Sequence, residues 1–169
     1  MSHSVFSHID DSGAARMVDI SGKEVSERLA RASARVWMQT STAAAIRDHR
    51  LAKGAVLEVA RVAGIMAAKK TAELIPLCHP LAPTAIAVDF LWETERTLRI
   101  EATVRICDRT GVEMEALTAV SVAALTVYDM CKSVDRDLVI TDIRLEEKRG
   151  GRSGAYRRDA PSSPTAGSS

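Results

Sequence analysis

The chain has 169 residues and a net charge of +1, with 46% hydrophobic side chains and only 4% aromatic ones. That length suits one domain able to bury about 70% of its unfolded surface. The near-neutral charge excludes a global basic field for nucleic acid, and scarce aromatics argue against a stacking groove for sugars or single strands, so an anionic ligand has to be held by a local cluster.

Residues 1–12 are polar and read as a flexible N-terminus, without the basic flank and apolar core of a secretion signal. Arg16 to Ser21 reads as a short strand closed by a turn at Gly22. Leu29 to Met38 alternates, with Ala30, Ala32, Ala34, Val36 and Met38 on one face and Arg31, Ser33, Arg35 and Trp37 on the other, the pattern of a half-buried strand. Thr40 to Arg50 reads as a short helix behind a Thr or Ser cap. Ala55 to Leu74 carries Val56, Val59, Ala60, Ala63 and Ala67 at helical spacing and is stopped by Pro76.

Thr84 to Trp92 and Thr97 to Cys107 are two strands joined by a polar turn. Thr110 and Glu113 have the spacing of a capping box that opens a helix running to about Lys132. This helix is apolar almost all round, so it needs cover on most sides. Its most apolar run, Ala116 to Tyr128, is too short to span a membrane and is interrupted by Ser and Thr. Leu138 to Glu146 is the last strand, with Ile140 and Ile143 as apolar landmarks. The tail, 150–169, is rich in Gly, Ser and Pro and reads as mostly disordered.

From Leu29 the order is βαββαβ with one inserted helix, following a short N-terminal strand. This is the α+β, ferredoxin-like order, an antiparallel sheet with helices packed on one face of a single domain, 13–149. A helix apolar all round in two layers asks for a second cover, and a subunit interface supplies one. Cys78, Cys107 and Cys131 are odd in number and far apart. They suit reduced thiols in a cytoplasm rather than a disulfide framework or a zinc site.

Three segments carry chemistry. Lys53-Gly54 can place an ammonium on a phosphate in a loop where backbone comes close, or be an ordinary solvated lysine. Ile75-Pro-Leu-Cys-His-Pro80 frames a Leu-Cys-His triplet rigidly. Neighbours in an extended stretch face opposite ways, which weighs against a Cys78/His79 nucleophile pair. Asp129 and Lys132 share a helix face at i, i+3. They form either a surface ion pair or, if buried, a proton-passing pair with a lysine lowered toward neutrality. In the first helical turn Glu113 belongs to the capping box and Glu115 is freer to bind a guanine-like amidine edge.

The run Gly111 to Lys132, GVEMEALTAVSVAALTVYDMCK, resembles the signature helix of the cyclic pyranopterin monophosphate synthase family (MoaC), and Leu74 to Leu81, LIPLCHPL, resembles its second signature. Met17 to Ser21, Ala63 to Lys69 and Gly150 to Gly154 are similar to further blocks in the same order, so the resemblance covers roughly residues 8 to 158.

The resemblance implies a ferredoxin-like subunit in a homohexamer, a trimer of dimers with the site at a subunit interface. It implies a lyase that converts 3′,8-cyclo-7,8-dihydro-GTP to cyclic pyranopterin monophosphate and pyrophosphate, an early step of molybdenum cofactor biosynthesis. It places the catalytic aspartate on Asp129, the catalytic lysines on Lys132 and Lys53, and substrate contacts on Leu77, Cys78, His79, Met114 and Glu115, with Glu113 beside them. No cofactor is required and no protein metal site is implied, though magnesium can accompany the triphosphate. Nucleic acid and membrane are not partners. Ala55, Met66 and Arg152 depart from the family pattern, and Arg152 keeps the charge of the more usual Lys with different geometry. A non-catalytic relative serving as a nucleotide-binding or scaffolding subunit would lack Lys53, Asp129 or Lys132, and all three are present. A small nucleotide-binding regulator would carry a P-loop or dinucleotide fingerprint, and neither occurs.

Overall fold

A computed structural model describes residues 9, 12–48, 50, 54–152 and 154–158. The elements are β1 (Ser26–Trp37), α1 (Thr40–Arg47), α2 (Val56–Lys69), α3 (Thr71–Leu74), β2 (Ala85–Trp92), β3 (Thr97–Asp108), α4 (Glu113–Cys131), β4 (Val139–Arg149) and β5 (Tyr156–Arg157). The sheet order is β2-β3-β1-β4-β5, antiparallel at every pairing. Its first four strands have the ferredoxin-like order that the sequence pattern predicts.

The inward face of β1 holds: Ala30, Ala32, Ala34 and Val36 are completely buried opposite Val104, Ala102, Ile100 and Leu98 of β3, as is Met38 just beyond the strand, while Ser33 on the other face is buried as well. Helices α2 and α4 cover that face. Small side chains let them approach closely, with Ala60, Ala116, Ala119, Ala123 and Ala124 all fully buried. The tightest point is Gly64, where a Cβ would lie 2.9 Å from the Ala119 carbonyl and 3.3 Å from Ala123 Cβ and Val88 Cγ2. Gly64→Val should therefore cost about 1–3 kcal/mol, the scale of overpacking a close-packed core, read as a lower urea midpoint at fixed protein concentration. An unchanged midpoint would mean that the two helices slide apart freely.

Four details differ from the sequence expectations. Residues 16–21 form no strand; the carbonyl of Val18 bonds the His79 ring and that of Ser21 accepts from Arg109. The helix expected over Ala55 to Leu74 breaks at Lys70 into α2 and α3. Helix α1 starts behind Gln39 and α4 behind Val112, neither with a side-chain cap, so the Thr110/Glu113 capping box does not form. Glu113 turns instead to Lys148, with Nζ 3.5 Å from Oε1. Of the two apolar landmarks of β4, Ile140 packs against the core while Ile143 is 47% exposed, because β4 slips register opposite Ser33 to Arg35, where Asp142 has φ 53°.

The other face of the sheet carries a lattice of charges. Arg31 bridges Glu101 and Glu147, Arg35 bridges Glu93 and Asp142, and Arg99 reaches Glu93, Glu101 and Glu146. Arg144 joins Glu146, and Ser33, fully buried beneath the lattice, donates a 2.6 Å hydrogen bond to Glu146 Oε1. In the tail, Tyr156–Arg157 adds β5 to the edge of β4, while residues 159–169 lie outside the described residues.

Candidate active site

The loop after α3 is built by its own backbone. The Ile75 N–H donates to Thr71 O and the Cys78 N–H to Ile75 O, and the prolines at 76 and 80 limit the rest. This aims His79 at the segment 16–20, where Nε2 lies 2.8 Å from the Val18 carbonyl. A carbonyl only accepts, so Nε2 carries the proton of this bond.

Beside His79 is a cleft of about 390 Å³. Its walls come from four parts of the chain: Val18 to Lys23, the start of β1 at Arg28, the β3–α4 turn Arg109-Thr110-Gly111, and Lys148 to Gly150 at the end of β4. Among the described residues five cations line it, Lys23, Arg28, Arg109, Lys148 and Arg149, against the single carboxylate of Glu113. Lys148 pairs with Glu113 and Arg149 with Glu147. Arg28 and Arg109 are held by main-chain carbonyls: Arg28 Nε and Nη2 donate to Asp108 O and Arg109 O, and Arg109 donates to Ser21 O. Such bonds fix a guanidinium without neutralising it. Among the described residues, no carboxylate lies within ion-pair distance of Lys23, Arg28 or Arg109. The cleft carries an excess of fixed positive charge, which suits an anion.

His79 and Glu113 are the two sequence-proposed residues that the fold brings together here. Met114 follows on the exposed side of α4, 37% accessible, and Leu77 is half-buried in the loop. Glu115 points away from the cleft. It is buried against the α2–α3 junction and lines a small cavity with Lys69, Lys70, Thr71, Pro80 and Leu81. Burial first, and then the charge of Glu113, raise its carboxyl above the ordinary range.

Cys78 feels the same surroundings. Burial, then the Glu115 carboxylate, push its thiol up, which disfavours the thiolate a nucleophile needs. Cys78→Ser should keep turnover within roughly fivefold, short of the hundredfold loss typical of removing a reacting group. Loss of all activity in a correctly assembled variant would show that the thiol reacts.

Asp129 and Lys132 form the close pair that their spacing predicts, Nζ to Oδ1 2.6 Å. The expected burial is absent in one chain, where the side chains are 60% and 52% exposed. Lys132 is accordingly raised above its ordinary value, first by the hydrogen bond to Asp129 and then by its charge. The pair is held in place by the α4–β4 turn. Buried Asp135 accepts the Gln39 and Asp137 N–H groups there, tying the turn to the start of α1.

The pair and the cleft are at opposite ends of one helix. Glu113 opens α4 and Asp129 lies near its end, about 24 Å away at 1.5 Å per residue. Helix α2 runs antiparallel to α4, since Gly64 sits on Ala119 and Ala123 while Ala68 and Lys69 share a cavity with Glu115. The start of α2 is therefore at the Asp129–Lys132 end. Lys53, which precedes it, lies outside the described residues.

Sequence reasoning missed Lys23, Arg28, Arg109 and Lys148. The available signal was weak: Lys23, Arg109 and Lys148 are basic residues near turns, at Gly22, at Thr110-Gly111 and at Gly150, and Arg28 lies inside β1 with no local signal. Among the described residues, no group of three His, Cys, Asp or Glu side chains could hold a metal ion.

Comparison with known proteins fits this geometry. The chain is 60% identical over 166 residues to cyclic pyranopterin monophosphate synthase 3 of Mycobacterium tuberculosis (strain ATCC 25618 / H37Rv), covering 98% of this chain and 94% of that one. It is 58% identical over 159 residues to a cyclic pyranopterin monophosphate synthase of Streptomyces griseus, covering 94% and 89%. It is also 58% identical over 151 residues to that of Parvibaculum lavamentivorans, covering 89% and 94%. The sequence model of the MoaC family matches residues 17–151, from the segment under His79 to the glycine that follows the cleft, and the chain belongs to that family.

Proposed function

We propose that this protein is a cytoplasmic lyase of molybdenum cofactor synthesis that converts 3′,8-cyclo-7,8-dihydro-GTP to cyclic pyranopterin monophosphate and pyrophosphate. The observation that carries the reading is the cleft beside His79, whose Lys23, Arg28 and Arg109 suit a triphosphate ester. The relatives above are named cyclic pyranopterin monophosphate synthases, which supports the product.

In the phosphate step, a hydroxyl oxygen of the substrate bonds to the α-phosphorus. The bond from that phosphorus to the bridging oxygen breaks, its electron pair leaves with pyrophosphate, and the hydroxyl proton passes to a basic group of the site. Fixed guanidinium groups favour the charge that grows on the leaving oxygens. Lys132, positioned by Asp129, and Lys53 are the proton carriers of the ring rearrangement. Magnesium enters with the triphosphate, as part of the substrate.

A catalytic pair about 24 Å from the phosphate cradle cannot serve the same substrate within one chain. The site is therefore composite: the cradle of one copy faces the Asp129–Lys132 end of another, in a homohexamer built from dimers. Partner contact supplies the burial that lowers Lys132 toward a working range. It also covers the exposed Met114 and Leu125 on α4. The test is to add the cyclised dihydro-GTP to purified protein and measure pyrophosphate together with particle mass. Release of pyrophosphate by an oligomer supports the reading; no release, or a fully active 18 kDa monomer, overturns it.

A further inference from the structure

Helix α4 ends at Cys131, and the chain reverses through residues 132–138 to enter β4. Lys132 is the first residue of this reversal, so the path of a few residues decides where its ammonium stands. We propose that Asp135, buried behind the turn, is a positioning residue that holds the Asp129–Lys132 pair in its working place without touching the substrate. The proposal rests on the function proposed above and extends it to a residue that belongs neither to the cleft nor to the pair.

The turn begins as a continuation of the helix. The Lys132 N–H donates to Tyr128 O at 2.9 Å, and the Val134 and Asp135 N–H groups both donate to Cys131 O, at 2.9 and 3.0 Å. Cys131 and Leu138 anchor its inner side in the core, and the Tyr128 hydroxyl donates to Arg136 O at 3.3 Å. Asp135 is 2% exposed; its Oδ2 accepts the Gln39 N–H at 2.8 Å and its Oδ1 the Asp137 N–H at 3.2 Å. Among the described residues its partners are these two main-chain groups, and no cation pairs with it. A buried polar side chain is costly unless its bonds are made. The bond to Gln39 links two segments 96 residues apart.

The far end of that link is rigid. Met38 is fully buried and exchanges bonds with Arg96: its N–H donates to Arg96 O at 3.0 Å, and its carbonyl accepts from Arg96 Nε at 3.1 Å. Gln39 follows directly and precedes α1, whose other end is fastened by Arg47, stacked 4.0 Å over the Trp92 ring and donating to Thr94 O and Glu95 O. Asp135 thus ties the turn to the end of β1 rather than to another loop. The Asp129–Lys132 pair does not fix itself. Both side chains are more than half exposed, and such a pair loses most of its attraction to the ordering of two flexible side chains. With the backbone held three residues away, the ammonium starts from one place. Without that tie the last turn of α4 can fray, and a misplacement of about 1 Å can cost about a hundredfold in rate.

The test breaks the link from each end. Asp135→Ala removes both acceptors. Gln39→Pro removes only the donor, and the Gln39 φ of −67° already matches the angle that proline imposes. In the assembled protein, with sedimentation matching the parent, each should lower the single-turnover rate roughly tenfold or more and change the KM for cyclised dihydro-GTP by less than about twofold. Asp135→Asn keeps one acceptor oxygen and should recover part of the loss. In a Lys132→Ala background either change should cost less than about twofold more, because the group it positions is gone. If Asp135→Ala does not assemble, Gln39→Pro decides. Parental rates in the variants, a rise in KM as large as the fall in rate, or an undiminished loss in the Lys132→Ala background overturns the positioning role. No turnover by the parent protein overturns the function on which the proposal rests. Turnover by the parent with parental rates in the variants overturns the tie alone.

Discussion

Lys132→Ala should lower the single-turnover rate by roughly a hundredfold or more, the usual scale for a positioned acid or base. Asp129→Asn should act similarly, since it removes the carboxylate that holds the ammonium at 2.6 Å. The double variant should cost far less than the two losses multiplied, because both side chains serve one step. Substrate binding should survive better than turnover, since His79 and the cations of the cleft lie at the other end of α4. An exposed ion pair with no further role contributes little and would leave the rate nearly intact. Single-turnover kinetics on correctly assembled variants decide between the two. A near-parental rate for Lys132→Ala would place the proton work elsewhere.

A larger effect is expected from mixing two inactive proteins. Take one variant damaged only in the cradle, Arg28→Ala, and another damaged only at the far end, Lys132→Ala. Each alone should be nearly inactive. In a mixed two-fold dimer, one site inherits both defects and the other inherits neither. After subunit exchange and random pairing, activity should return to about a quarter of the parent value, since half of the dimers are mixed and each has one intact site. The check is activity measured before and after denaturing and refolding the two variants together. No recovery, with mixed oligomers demonstrated, would mean that both ends of α4 serve a site within one chain.

Periodic features were readable from the sequence. The inward alanines of β1 could be read because their partners in β3 obey the same period of two. His79 was visible because two prolines frame it, and the Asp129–Lys132 pair because helical spacing alone makes it. What failed depended on distant partners. Ser33 was assigned to the solvent side and is fully buried, because Glu146, which accepts its hydrogen bond, comes from another strand. Glu113 left its expected capping role for Lys148, and Ile143, an apolar landmark of the strand, is exposed because a bulge resets the face of β4. The cradle itself converges from Lys23, Arg28, Arg109 and Lys148, which no local pattern connects. The distance of about 24 Å between the cleft and the Asp129–Lys132 pair was implicit in the length of α4.

The charge lattice on the open face of the sheet sets how the fold meets acid. Hydrogen bonds and charge from Arg35 and Arg99 lower Glu93, and those from Arg149 and Arg31 lower Glu147. At Glu146 burial alone would raise the carboxyl, but Ser33, Arg144 and Arg99 outweigh it and the net shift is downward. Each group therefore binds fewer protons in the folded chain than in the unfolded one. The stability they contribute is complete above the ordinary carboxylate range and is lost as pH falls through their depressed values. Two of these carboxylates also share an arginine, Arg99 reaching both Glu93 and Glu146. The first proton to bind leaves an arginine partly unmatched and changes the affinity of the next carboxylate for its own. The face should thus titrate as a coupled unit, with apparent constants that belong to the lattice rather than to single residues.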